Sequence, residues 1–111
     1  MSFQRLYIKK TSDFQSIIKE GTKQISSHFV LIGRNRQEAT SRLGITMSKA
    51  NVRLATDRNR IKRIIRENWR TKSFHKATYK DFVLIVKKGT EQLRNAEINS
   101  EFDNLLDKYI S

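Results

Sequence analysis

Apolar residues recur along this chain with two periods, and each change of period marks a change of element. Phe14, Ile17 and Ile18 fall on one face of a short helix that Thr11 or Ser12 can cap and Gly21 can close. Residues 23–25 read as a short strand and residues 28–34 (HFVLIGR) as a stronger one. The polar stretch RQEATS then reads as a hairpin loop leading into residues 42–48 (RLGITMS), where Leu43, Ile45 and Met47 share a face. Beyond a polar link at 49–55, Thr56 or Asp57 can cap a long helix that runs to the region of Thr71. Residues 81–87 (DFVLIVK) are apolar on both faces, the pattern of a central strand covered from both sides. Gly89 and Thr90 break the chain, and Ile98, Phe102, Leu105, Leu106 and Tyr109 form the stripe of a last helix.

The resulting order, αβ(β)βαβα, predicts an α+β fold, a small two-layer sandwich of helices on a mixed sheet. No repeat, low-complexity run or proline interrupts it, so the 111 residues read as one domain. The first ten, with Arg5, Lys9 and Lys10, read as a basic arm.

Composition narrows the chemistry. The absence of cysteine excludes disulfides, thiolate catalysis and Cys-type metal sites, and suits a reducing cytoplasm. The longest apolar runs, 29–32 and 82–86, are too short to span a bilayer. His28 and His75 are the only histidines; neither belongs to a ligand-spaced cluster, so no catalytic residue and no protein metal site is expected. Lys and Arg number 23 against 11 acids, a net charge of +12 that favours a polyanionic partner.

Where those charges sit decides more. At about 100° per residue, Ile61, Ile64, Ile65 and Trp69 fall on one arc of the long helix and form its expected buried stripe. Arg58, Lys62, Arg66 and Arg70 make a single row outside that stripe, joined by Asn59, Arg60 and Arg63. Like charges four residues apart destabilise a helix by a few tenths of a kcal/mol, and a polyanion relieves that repulsion. Asp57 and Glu67 are expected to cap the helix or pair locally. A membrane-surface role fails because the apolar arc is needed to cover the sheet, and no helix precedes the basic one closely enough for a helix-turn-helix. A protein-only nuclease would need paired carboxylates or histidines that the sequence does not provide.

At these residues the chain resembles a family. The string Ser48-Lys49, Asn51-Val52-Arg53 and Ala55-x-x-Arg58-Asn59-Arg60-Ile61-Lys62-Arg63-x-x-Arg66-Glu67-x-x-Arg70 is similar to the signature of the bacterial ribonuclease P protein subunit. Ser12-Asp13-Phe14, Leu43-Gly44, Asp81-Phe82-Val83 and Lys87-Lys88-Gly89 also fall where that family has counterparts. The resemblance implies an accessory protein of an endoribonuclease that removes the 5′ leader of precursor tRNA. Its partners would be the catalytic RNA subunit, which binds most of the Mg²⁺ and performs the hydrolysis, and precursor tRNA. No membrane and no small-molecule substrate is implied.

It further implies a left-handed βαβ crossover around the signature helix, as in the second domain of ribosomal protein S5. By position, Lys49, Arg53, Arg58, Asn59, Arg60, Lys62, Arg63, Arg66 and Arg70 would contact RNA. Phe14, Ile18 and Ile32 would lie at a leader cleft between the first helix and the sheet, and Phe14 equally fits a core stripe. Ala50 and Leu54 stand where relatives carry basic residues, which removes two potential phosphate contacts. A ribosomal protein or general RNA chaperone is the alternative that shares this charge and fold class.

Overall fold

A computed structural model describes residues 7–8, 10–35, 41–71 and 80–110. Residues 1–6 and 9 of the expected arm, most of the RQEATS loop and His75 lie outside the described residues. The elements are α1 (Thr11–Glu20), β1 (Thr22–Ile25), β2 (Phe29–Asn35), β3 (Arg42–Thr46), α2 (Ala55–Thr71), β4 (Lys80–Val86), a 3-10 turn (Thr90–Gln92) and α3 (Asn95–Ile110). The chain is therefore a small α+β fold on a mixed four-stranded sheet.

The strand order is β1-β2-β4-β3. β4 runs antiparallel to β2 and parallel to β3, with Leu84 opposite Leu31 on one side and Ile45 on the other. The hairpin expected between β2 and β3 is thus not formed, because β4 lies between them. The reason is visible in β4 itself. A strand apolar on both faces gains most at the centre of a sheet, where neighbours and helices cover it, and the alternating β3 is left at the edge. The hairpin that does form joins β1 to β2.

One face of the sheet carries Phe29, Leu31, Leu43, Phe82, Leu84 and Val86 and packs under α2 and α3. The α2 stripe is as expected: Ile61, Ile65 and Trp69 are wholly buried and Ile64 nearly so. Burial of such side chains contributes roughly 1.5–3 kcal/mol each as an upper estimate. Trp69 meets the edge of Phe82 at 5.8 Å between centroids, and Phe82 meets Tyr109 at 5.1 Å. Gly33 makes room for that last ring, since a Cβ there would lie 2.8 Å from Tyr109. Burial pushes the Tyr109 phenol up to about 12 despite a hydrogen bond from the Gly33 backbone.

The other face has thinner cover. α1 lays Ile17 over Ile32 and Val83, with Ile8 beside them. One local expectation changes here. No side chain caps α1; the amides of Asp13 and Phe14 donate to the Lys10 carbonyl. Gly21 closes α1 as expected, with its amide donating to the Ile17 carbonyl and its backbone extended, and a Cβ there would lie 2.5 Å from Ile32. Part of the basic arm is also docked, because Tyr7 bridges to Leu43 and the Ile8 amide donates to the Leu43 carbonyl at 2.9 Å.

A polar cluster ties α3 to the turn before β2. The Glu101 carboxylate accepts from Ser26 Oγ and from the His28 amide at 2.8 Å, and lies 2.9 Å from His28 Nδ1. Burial pushes the Glu101 carboxyl up, but these hydrogen bonds outweigh it and hold the group below its ordinary value of 4.5. A carboxyl depressed in the native state stabilises the fold above its unfolded pKa, and that contribution fades as pH falls through the native value. The stability gap between the wild type and Glu101→Gln, read from urea midpoints, should therefore be widest above pH 5 and close on acidification. A gap that stays constant down to pH 3 would refute this linkage.

Candidate nucleic-acid interface

The start of α2 is fixed by tertiary contacts and not by the expected Thr56 or Asp57 cap. Val52 is buried in the core, and Asn51 Nδ2 donates to the Val86 carbonyl at 3.3 Å. Arg58 then turns back and donates to the carbonyls of Val52 and Arg53 at 2.9 and 2.8 Å. These contacts hold the 48–54 link against the end of β4, with Lys49 and Arg53 exposed on it.

Along α2 the cationic row divides into two kinds. Arg58 is committed to the link as described. Arg60 reaches across to α3, donating to Asn95 Oδ1 at 2.7 Å and to the carbonyls of Glu91 and Leu93 at 3.0 and 3.2 Å. The side chains of Lys49, Arg53, Lys62 and Arg63 make no hydrogen bond or ion pair with the other described residues, and Asn59, Arg63, Arg66 and Arg70 are exposed. Glu67, expected to pair locally, makes no ion pair among the described residues despite the cations around it. A groove of about 480 Å³ runs along this face, with Lys62, Arg63, Arg66 and Arg70 in its lining.

Tyr7, which sequence reasoning passed over, lines the same groove. Its hydroxyl donates to the Arg66 carbonyl at 3.3 Å. Burial pushes its phenol up, opposed by the charges of Arg66 and Arg70. The charge distribution around the molecule is lopsided. α3 carries Glu97, Glu101, Asp103 and Asp107, while the outer face of α2 is almost wholly cationic.

On the other face of the sheet, α1 leaves a strip uncovered. Ile25, Val30, Ile85 and Thr46 stand in one row across the four strands. Ile25 is 62% exposed, and Val30, Ile85 and the neighbouring Ile18 are half-buried. Phe14 borders this strip, lying against Gly44, where a Cβ would come within 2.5 Å of its ring. Only a residue without a Cβ allows the aromatic ring to lie so close to β3. Ile32, expected in the cleft, has no exposed surface and forms the floor beneath α1. Ile25 was missed because it closes a short polar strand whose burial pattern could not be read from alternation.

The end of α1 is held by ions. Asp81, almost fully buried, accepts two hydrogen bonds from Arg42, at 2.9 and 3.0 Å, and lies 3.5 Å from Arg34. Arg34 also meets Glu20 at 3.1 Å and Ser16, so the network joins α1 to three strands. Among the described residues no group of three or more acids and histidines could hold a metal ion. Nor is any described helix long and apolar enough to cross a membrane.

A family model described as Ribonuclease P matches residues 3–110. The chain belongs to the ribonuclease P protein family. It is 39% identical to a ribonuclease P protein component of Vibrio parahaemolyticus over 92 residues, 83% of this chain and 77% of that one. Among solved structures, a ribonuclease P protein from Staphylococcus aureus superposes with a TM-score of 0.83 at 33% identity, covering 94% of each chain. One from Thermotoga maritima gives 0.81 at 28% identity, covering 92% of this chain and 96% of that one. As a ribonuclease P protein component, the chain has its place in an endoribonuclease of tRNA processing.

Proposed function

We propose that this chain binds the catalytic RNA of ribonuclease P through the outer face of α2 and the link before it. In this reading the strip between α1 and the sheet holds the single-stranded 5′ leader of precursor tRNA. The observation that carries the reading is the set of uncommitted cations: Lys49, Arg53, Lys62 and Arg63 stand on one continuous stretch without acidic partners among the described residues. Bringing precursor tRNA onto a large RNA places two polyanions side by side, and a chain of charge +12 between them reduces their repulsion. In this reading the reaction takes place in the cytoplasm, and its Mg²⁺ is bound mainly by the RNA subunit, which performs the hydrolysis.

The test is cleavage of precursor tRNA at low Mg²⁺ with protein alone, ribonuclease P RNA alone, and both. Cleavage at the mature 5′ end only with both components supports the reading. Cleavage by protein alone would overturn the assignment of catalysis to RNA. A protein that never assists that RNA, yet binds RNA with a steep salt dependence, would instead be a general RNA chaperone.

The cleft has its own test. A leader base stacked on Phe14 contributes about 1–3 kcal/mol. Phe14→Leu keeps an apolar side chain on Gly44, so affinity for precursor tRNA should fall about tenfold while affinity for mature tRNA and the melting temperature hold. A parallel loss for both RNAs, or a large drop in melting temperature, would mean that the ring serves packing only.

A further inference from the structure

The groove on the outer face of α2 contains an aromatic ring that comes from outside the helix. Tyr7 is fixed in place as an extra edge beside β3, through its bridge to Leu43 and the Ile8 amide bond to the Leu43 carbonyl. The guanidinium carbon of Arg66 lies 5.7 Å from the centre of the Tyr7 ring. That separation is within the range of a cation–π contact. Arg66 is itself exposed, so the side of the guanidinium away from the ring faces the groove.

An exposed arginine ordinarily samples many rotamers and offers a polyanion its charge. One braced against a ring instead presents a flat, oriented π-surface, the kind on which unpaired RNA bases stack. Lys62 and Arg63, in the same groove and uncommitted to any described partner, stand where the phosphates next to such a base would pass. Nothing in the charge pattern alone calls for an aromatic ring here, since phosphate contacts need only cations.

We infer that Tyr7 and Arg66 form a stacking platform for one unpaired nucleobase of the RNA bound by α2. Arg66 makes the contact, and Tyr7 is a positioning residue that orients it. The inference rests on the proposed reading of the α2 face as an RNA interface and adds base stacking to its charge contacts.

The experiment is equilibrium binding of the full-length protein to a ribonuclease P RNA transcript over a series of salt concentrations. The variants are Arg66→Lys, Tyr7→Leu and Tyr7→Phe. Lysine keeps the charge of Arg66 but has no planar face. Arg66→Lys and Tyr7→Leu should each weaken binding about 5- to 100-fold at every salt concentration. The slope of log affinity against log salt should stay unchanged, because no phosphate contact is removed. Tyr7→Phe should restore most of what Tyr7→Leu loses. Wild-type affinity in Arg66→Lys would overturn the platform even where the salt slope is steep. A slope that flattens in Tyr7→Leu would overturn it too, by showing that the ring only places charge. Binding by the wild type with no salt dependence would be a different failure, that of the RNA interface itself.

Discussion

Replacing Asp81 by asparagine is expected to destabilise the fold by about 3–5 kcal/mol, the usual cost of removing one partner from a buried ion pair. Such a loss is a large part of the total stability of about 5–15 kcal/mol that a domain of this kind possesses. The carboxylate is 3% exposed and joins two arginines that are each about a quarter exposed. Without it, Arg34 would keep Glu20 at 3.1 Å and Ser16, and Arg42 would keep the more distant Asp13 at 4.0 Å, all nearer the rim. Urea midpoints measure the effect. Arg42→Ala should fall in the same range, since it removes the bidentate partner, whereas Arg34→Ala should cost less because its reach to Asp81 is the longer one. The double variant Asp81→Asn/Arg42→Ala should cost clearly less than the sum of its parts, as coupled partners do. Full additivity would mean that the two residues act independently and that the network is incidental.

Arg60 and Arg63 should behave as opposites although they sit three residues apart on one basic helix. Arg60→Ala removes three hydrogen bonds that clamp the 3-10 turn and the first residue of α3 to α2. Hydrogen bonds from a charged donor contribute about 1.5–3 kcal/mol, and these are partly solvated, so a loss of about 2–3 kcal/mol in stability is expected. Its effect on the salt dependence of RNA binding should be small. Arg63→Ala touches no described partner and should leave the urea midpoint unchanged. It should lower the slope of log affinity against log salt by about one unit, the signature of one lost phosphate contact. Combined with Lys62→Ala the slope should fall by about two. If Arg63→Ala destabilised the protein as much as Arg60→Ala, the outer face of α2 would be a structural surface and not an interface.

On the helical wheel these arginines form one set, and what separates them lies outside the helix. Position on a helical wheel establishes that neither Arg60 nor Arg63 belongs to the apolar stripe, and that is correct for both. It cannot establish that the turn after β4 brings the carbonyls of Glu91 and Leu93 within reach of one guanidinium and not the other. The same limit explains Arg58, which holds the link carbonyls, and Glu67, whose expected local pairing is not made among the described residues.

Asp81 marks a second limit. An acid at the head of an apolar run was legible as a strand boundary, but its role depends on Arg34 and Arg42, which reach it only because β4 inserts between β2 and β3. Tyr7 was invisible for the same reason. By sequence it belongs to a basic arm, and only its bridge to β3 brings it to α2.

By itself, the sequence determined the helices and strands, the buried stripes of α2 and α3, the central place of β4 and the cationic character of α2. Those features follow from local periodicity and burial, which neighbouring residues express wherever the chain folds. The order of strands, the ring laid on Gly44, the buried ion network and the division of the arginines were decided by tertiary structure alone. Each of these depends on distances between residues far apart in the chain, and such distances are set by how the layers pack.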